Sequence, residues 1–267
     1  MLTNKNKFCV AVDCEGIACV ANKKMEKLQD DPFVVRQATE EANAAARALF
    51  DRGAAEVIIL DTHHAGMNLD YERIDNRCRI MLGSGNRIRF PEIDAEYAGI
   101  LFIGFHSREG TKDAVLAHSY GPGYQYMKIN GQEVGEMEME AAFPGRFGVP
   151  VIFISSDDKT VDQAKKSFPW AETVAVKKSL GRTSVLSMHP EAARNAIYSG
   201  VMRACERIDE MKPYTFSLPM EVEFRFSDMA GANSPYRGLY DNKRRPFEFV
   251  DAFTRRGTMD NIEDLFN

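Results

Sequence analysis

The sequence lacks the features that mark membrane proteins and general nucleic-acid binders. Its longest near-continuous apolar run, Ala98 to Phe105, has 8 residues, whereas a membrane-spanning helix needs about 20. Basic residues are not in excess, because 34 Lys and Arg stand against 39 Asp and Glu among 267 residues, a net charge of −5. A nucleic-acid binder usually carries a basic face. We therefore expect neither a membrane nor a nucleic acid as a partner.

The cysteines form neither a disulfide framework nor a zinc ribbon. Their number is odd and no CxxC spacing occurs; they are Cys9, Cys14, Cys19, Cys78 and Cys205. Scattered cysteines of this kind are typical of reduced thiols in a reducing compartment. We therefore expect a cytoplasmic protein.

Three common catalytic motifs are also missing. The chain has no GxxxxGK(S/T) phosphate loop, no HExxH zinc helix and no GxSxG nucleophile elbow. Its composition is that of an ordinary soluble protein, with 44% hydrophobic and 27% charged residues. Any chemistry must therefore come from residues that the fold brings together.

Several short runs are apolar on both faces, and most of them end in polar residues. Runs that do not alternate are typical of strands in a parallel sheet covered on both sides. These runs are Phe8–Val12, Val57–Leu60, Ile100–Phe105 and Val151–Ile154, with Thr173–Val176 as a fifth.

A helix is predicted between the first two strands. Asp31 suits the N-cap, Pro32 the first helical position, and Gly53 the position just past the end. Strand, helix and strand in this order form a βαβ unit. We therefore predict an α/β fold with a doubly wound, mostly parallel sheet and helices on both faces. Its ligand crevice should lie at the carboxyl ends of the strands.

The remaining segments indicate a hairpin and a smaller α+β C-terminal region. Met127–Val134 is predicted to be a β-hairpin around Asn130-Gly131, and Pro190–Ile208 a helix. We place a soft domain boundary near residue 185. The candidate site then falls in an α/β domain over residues 1–185, and residues 186–267 form the C-terminal region.

Acids and histidines gather where the predicted strands end. Asp13 and Glu15 follow the first strand, His63 follows the second, and His106 closes the third; the segments after it carry His118 and Glu136. In a doubly wound sheet these ends converge, and carboxylates with imidazoles are the ligands of Zn²⁺ or similar metals. Three carboxylates leave a charge of −1 with one divalent ion and +1 with two, which favours a two-metal hydrolase.

Each of these residues taken alone also has an ordinary interpretation. The segment from Asp13 to Gly16 could be a turn, His63 and His64 an exposed loop pair, and His106 a core histidine. Glu138 and Glu140 are interpreted as a solvated helix face. The joint placement at three strand ends is what favours a metal site.

The motifs together resemble the D-aminopeptidase family of dinuclear zinc peptidases, peptidase family M55. They are Asp13-x-Glu15-Gly16, Asp61-Thr62-His63, Gly104-Phe105-His106, Leu116-Ala117-His118-Ser119 and Gly135-Glu136, in this order. The resemblance is good from about residue 7 to 185 and looser afterwards. It implies a zinc-dependent aminopeptidase that releases N-terminal residues from short peptides, including D-residue peptides such as D-Ala-D-Ala.

The resemblance also implies a role for each residue of the candidate site. Asp13 would bridge two zinc ions, with Glu15 and His63 completing one position, and His106 and Glu136 the other. His118 matches the family's catalytic histidine, assigned there as nucleophile or base. Members of the family are cytoplasmic and form ring-like homodecamers, so a homo-oligomer is expected.

The chain departs from the family pattern near the expected pocket. Ser107-Arg108-Glu109 replaces a usual Ala-Arg-Ala, Arg87 to Ile93 replaces a Met-rich stretch, and Glu140 stands where Asn is common. Two other hypotheses therefore stay open: a dinuclear hydrolase of a non-peptide amide, and a non-catalytic metal- or peptide-binding subunit. Candidates for the carboxylate that holds a substrate ammonium group are Asp61, Asp157 and Glu138.

Overall fold

A computed structural model describes residues 6–21, 28, 30–84, 89–120, 123–233 and 245–266. Residues 87–88, part of the segment that departs from the family pattern, lie outside these ranges. The strands are β1 (Lys7–Val12), β2 (Glu56–Asp61), β3 (Arg79–Met81), β4 (Tyr97–Ile103), β5 (Tyr124–Ile129), β6 (Gln132–Val134), β7 (Val151–Asp157), β8 (Glu172–Gly181), β9 (Ser184–Ser187), β10 (Met220–Phe226), β11 (Glu248–Phe249) and β12 (Thr254–Met259). The α-helices are α1 (Pro32–Asp51), α2 (Glu136–Gly145), α3 (Asp158–Ser167), α4 (Pro190–Glu206) and α5 (Met229–Ala232).

Seven strands form the main sheet, in the order β3-β2-β1-β4-β7-β8-β9. All neighbouring pairs are parallel except β8 and β9. Every residue of β4 and β7 is buried, as expected for strands covered on both faces. Helices α1 and α4 pack on one face of the sheet, and α2 with α3 on the other. The predicted doubly wound α/β fold is confirmed.

Helix α1 begins and ends where its sequence signals place the ends. The Asp31 carboxylate accepts a hydrogen bond from the backbone N–H of Phe33 at 2.9 Å, an N-cap worth about 1 kcal/mol. Pro32 follows as the first helical residue. Gly53, just past the end, has φ of +93°, a conformation that glycine adopts without steric cost.

A second, antiparallel sheet lies beside the first, in the order β11-β12-β10-β5-β6. The predicted hairpin forms its β5–β6 edge, with positive φ at Asn130 and Gly131 as a two-residue turn requires. Strand β5 pairs with β10, far along the chain. Helix α2 is buried between the two sheets, in one apolar cluster that includes Met139, Phe143 and Phe224.

The C-terminal segments join both sheets. Helix α4 begins at Pro190 as predicted, and its N-cap His189 accepts from Glu191 N–H. It packs against α1 on the main sheet, whereas β10 to β12 belong to the second. The domain boundary near residue 185 therefore remains a prediction. Within the described residues, no helix is long and apolar enough to cross a membrane, and the five cysteines are free thiols.

Candidate metal centre

The loop after β1 carries Asp13 and Glu15 across the carboxyl end of β4. Asp13 N–H donates to the Ile103 carbonyl at 2.8 Å, and Gly16 N–H donates to the Gly104 carbonyl at 2.6 Å. Glycine is required at both contacts: a Cβ on Gly16 would lie 2.2 Å from the Phe105 carbonyl oxygen, and one on Gly104 2.2 Å from that of Asp13. The two strand ends therefore approach closely enough to share one site.

The Asp13 carboxylate lies between two histidines from neighbouring strands. Its Oδ1 is 2.9 Å from Nδ1 of His63, and its Oδ2 is 3.6 Å from Nε2 of His106. Each oxygen thus faces a different imidazole, as in a carboxylate that bridges two cations. Asp13, His63 and His106 are all buried.

A second carboxylate stands beside each histidine. Oε2 of Glu15 is 3.2 Å from Nδ1 of His63, and Oε1 of Glu136 is 3.3 Å from Nε2 of His106. The centre therefore has two halves, Glu15 with His63 and Glu136 with His106, which share Asp13. Helix α2 begins at Glu136, so the positive end of its dipole also lies at this carboxylate.

His118 lies beside the second half. Its ring stacks on that of His106, with centroids 3.9 Å apart and an interplanar angle of 11°, and its Nε2 is 3.8 Å from Oε1 of Glu136. The side chains of His118 and Glu136 are 13% and 11% exposed, whereas His106 is 2% exposed. Solvent therefore reaches the centre from the side of His118.

Backbone carbonyls set the tautomers of two of these histidines. Nδ1 of His106 is 3.0 Å from the Ser107 carbonyl oxygen, and Nδ1 of His118 is 2.8 Å from that of Leu116. A carbonyl oxygen only accepts, so each Nδ1 carries a proton and donates it. In the neutral rings Nε2 is then unprotonated, which is the arrangement of a metal-ligating or proton-accepting imidazole.

The backbone on both sides of His118 is in the left-handed region that non-glycine residues rarely adopt. The φ angle is +51° at Leu116 and +50° at Tyr120. Strain of this kind collects at functional sites, where the surrounding structure holds it in place. The His118 loop is tied down by two backbone hydrogen bonds, from Leu116 N–H to Arg182 and from His118 N–H to Ser107.

The charges of the centre shift the pKa values of His63, His106 and Asp13. Burial lowers the pKa of His63, but Glu15 and Asp13 outweigh this and raise it to about 11. Burial likewise lowers the pKa of His106, whereas Glu136 and Asp13 raise it to about 10. Burial raises the pKa of Asp13, yet the two histidines hold it well below its usual range. Without a metal, the protons on the two imidazoles thus supply the positive charge that balances the carboxylates.

The donor set suits a divalent metal such as zinc. Three carboxylates and two imidazoles converge, and each imidazole nitrogen that faces the centre lies next to two carboxylates. Nε2 of His63 is buried and, within the described part of the chain, has no hydrogen-bond partner. Oε2 of Glu15, which contacts His63 at 3.2 Å, forms no regular hydrogen bond with any described residue. Asp13, Glu15 and His106 offer ligand atoms within 4.8 Å of one another, as do His106, His118 and Glu136.

The three carboxylates considered for a substrate ammonium group are engaged elsewhere. Asp61 accepts from Asn68 and Tyr71, and Asn68 also donates to the His63 carbonyl. Asp157 caps α3 and accepts from hydroxyl groups around it. Glu138 accepts from three donors, on Gly135, Gln163 and Ser167. All three carboxylates therefore accept hydrogen bonds from the protein itself.

The prediction that Glu138 and Glu140 form a solvated helix face was wrong. Their residues are 2% and 1% exposed, because the second sheet covers α2. Glu140 pairs with Arg89, whose guanidinium also contacts the Thr62 carbonyl at 3.5 Å and the ring of Tyr120. Burial raises the pKa of Glu140 to about 7 despite the charge of Arg89. This ion pair beside the centre was missed, since acids at alternate helix positions gave no sign of burial.

Comparison with known proteins agrees with this architecture. A family profile described as D-aminopeptidase, peptidase family M55, matches residues 7–245. A D-aminopeptidase of Bacillus subtilis (strain 168) is 30% identical over 220 residues, which cover 78% of this chain and 77% of that protein. The solved structure described as the Zn-dependent D-aminopeptidase DppA from Bacillus subtilis, a self-compartmentalizing protease, has a TM-score of 0.87 at 24% identity. That similarity covers 97% of this chain and 94% of the other and establishes the fold. The chain therefore belongs to the D-aminopeptidase family, peptidase family M55.

Proposed function

We propose that this protein is a zinc-dependent aminopeptidase that hydrolyses the N-terminal amide bond of short peptides, including D-residue peptides such as D-Ala-D-Ala. The observation that carries the proposal is the position of Asp13, whose two carboxylate oxygens face His63 and His106 at 2.9 and 3.6 Å. Family membership and the zinc-dependent structural relative support the metal and the reaction.

The five candidate ligands divide into two metal positions. Asp13 would be shared by both, Glu15 and His63 would complete one, and His106 and Glu136 would complete the other. When bound, two zinc ions would polarise the scissile carbonyl and activate a water for attack. The protein's own part is to hold three buried carboxylates against two imidazoles, an arrangement that is electrostatically stable only with cations or protons between them.

His118 is the proposed catalytic residue. Its Nδ1–H is held by the Leu116 carbonyl at 2.8 Å, which leaves Nε2 to take a proton from the attacking water and return it to the leaving amine. The stacked ring of His106 fixes the plane of the imidazole. His118 is more exposed than His106, so a substrate can reach it.

The assembly and location also remain proposals. The structural relative is described as a self-compartmentalizing protease, and we propose that this chain forms a homo-oligomer, with the family's homodecamer as the expected size. The five free cysteines support a cytoplasmic protein.

Hydrolysis of D-Ala-D-Ala and of L-Ala-L-Ala by zinc-loaded protein, with and without chelator, tests the proposed function. Cleavage of either dipeptide that stops with chelator supports a metalloaminopeptidase, and the ratio of the two rates gives its stereochemical preference. An N-acetylated dipeptide is the control, because an aminopeptidase should reject it. Two bound metals without cleavage of either dipeptide would instead favour a non-peptide amide substrate or a binding role.

A further inference from the structure

One buried cation near the centre takes no part in the chemistry proposed above. Lys177 on β8 is 3% exposed, although lysine is almost never this deeply buried unless it is paired. Within the described residues, no carboxylate oxygen lies within ion-pair distance of its Nζ; the charges of Asp157, Glu41 and Glu15 act on it from farther away. Its partners are backbone carbonyls.

All three carbonyls belong to the loop that carries Glu15. The Lys177 ammonium donates to the carbonyl oxygens of Glu15, Ile17 and Val20, the last two at 2.9 and 2.8 Å. An ammonium group has three N–H donors, so its full donor capacity is spent on this one segment. No side chain of the loop takes part in these contacts.

Other parts of the fold hold the same loop by its amides. The Glu41 carboxylate on α1 accepts from Ala18 N–H at 3.0 Å, and the Ser187 hydroxyl on β9 accepts from Cys19 N–H at 2.8 Å. The loop thus leaves β1, passes over the sheet edge and is fixed on β8 and β9. Of these contacts, only the one from Lys177 reaches the backbone of Glu15 itself.

The position of Glu15 matters most directly to the half of the centre that contains His63. Its carboxylate lies 3.2 Å from Nδ1 of His63, whereas it is the Glu136 carboxylate that lies 3.3 Å from Nε2 of His106. We infer that Lys177 is a positioning residue for the metal position formed by Glu15 and His63, and that it acts by holding the Glu15 backbone. This inference rests on the two-metal centre of the proposed function.

Lys177→Met tests the inference, since methionine is also unbranched and only one atom shorter, and it removes the donors. We expect one metal to bind as in the wild type, and the other about 10- to 100-fold more weakly, the usual loss when a group that supports a ligand is removed. Calorimetric titration with Zn²⁺ counts the two sites, and the absorption spectrum of bound Co²⁺ distinguishes them. Neither readout requires turnover.

Lys178→Met is the matched control, because Lys178 is the exposed neighbour on the same strand. It should retain both metal affinities. Lys177→Gln has a shorter side chain that ends in an amide donor, and it provides a second variant if the methionine variant does not fold. Circular dichroism and a thermal melt establish which variants are folded.

A folded Lys177 variant that binds two zinc ions with wild-type affinities would overturn the inference. Equal weakening of both sites would also overturn it, because that result indicates general damage to the fold. If the wild type binds two metals but cleaves no peptide, the proposed activity fails, while the titration still decides the role of Lys177.

Discussion

The rings of His106 and His118 lie parallel, 3.9 Å apart at their centroids, yet the two residues hold their Nε2 atoms in different surroundings. Nε2 of His106 is buried between Asp13 and Glu136. Nε2 of His118 lies 3.8 Å from Glu136, in a partly exposed position. This difference is the basis of our proposal that His106 binds metal and His118 transfers a proton.

His118→Ala should keep both zinc ions and lower kcat by about 100-fold or more, the usual contribution of a positioned general acid or base. Zinc content by atomic absorption and dipeptide hydrolysis are the two measurements. His64→Ala is the control, because His64 is exposed beside His63. Unchanged turnover in His118→Ala would remove His118 from the mechanism, and loss of zinc would make it a ligand.

Zinc affinity should fall as the pH is lowered. In the metal-free protein the pKa values of His63 and His106 are about 11 and 10, so both imidazoles are protonated at neutral pH and must lose protons to bind metal. We expect release of about two protons per subunit at pH 7 to 8, one from each imidazole. Calorimetric titration in two buffers of different ionisation enthalpy measures this number. Binding without proton release would contradict the histidine assignments.

Glu41→Gln should change how stability depends on pH. Burial raises the pKa of Glu41 to about 7, against the hydrogen bonds from Ala18 and Gln37. The folded state therefore keeps a proton that the unfolded state has lost above its ordinary pKa of about 4.3. The stability that this proton contributes is present below about pH 4 and is lost as the pH rises through 7.

Relative to wild type, Glu41→Gln should thus gain about 2 to 3 kcal/mol in the free energy of unfolding between pH 5 and pH 8. Urea unfolding of metal-free protein at both pH values measures the difference. Glu40→Gln is the control, because the neighbouring Glu40 pairs with Arg73 at the surface. An equal effect of Glu41→Gln at both pH values would show that Glu41 does not carry this proton.

Local signals in the sequence were enough to predict the main sheet and helix α1. The strands of a covered parallel sheet are apolar along their whole length, and Asp31, Pro32 and Gly53 mark the helix ends by their own backbone chemistry. Because parallel strands present their carboxyl ends at one edge, the positions of Asp13 and His63 in the sequence also placed them together in space.

The burial of α2 and of Lys177 could not be predicted in the same way. The second sheet forms only when β5 pairs with β10, nearly a hundred residues later. The spacing of residues in α2 does not indicate that a second sheet covers the helix. Lys177 and Lys178 are adjacent in one strand, where alternate side chains point to opposite sides. Only the path of the Glu15 loop makes Lys177 the buried one.

The central claim is that Asp13 bridges two metal ions, and anomalous diffraction at the zinc edge from crystals of zinc-loaded protein tests it most directly. We predict two peaks per subunit about 3.5–4 Å apart, one beside Glu15 and His63 and the other beside His106 and Glu136, with a carboxylate oxygen of Asp13 on each. Asp13→Ala crystals should show neither peak. A single peak in the wild type, or two peaks that persist in Asp13→Ala, would contradict the account.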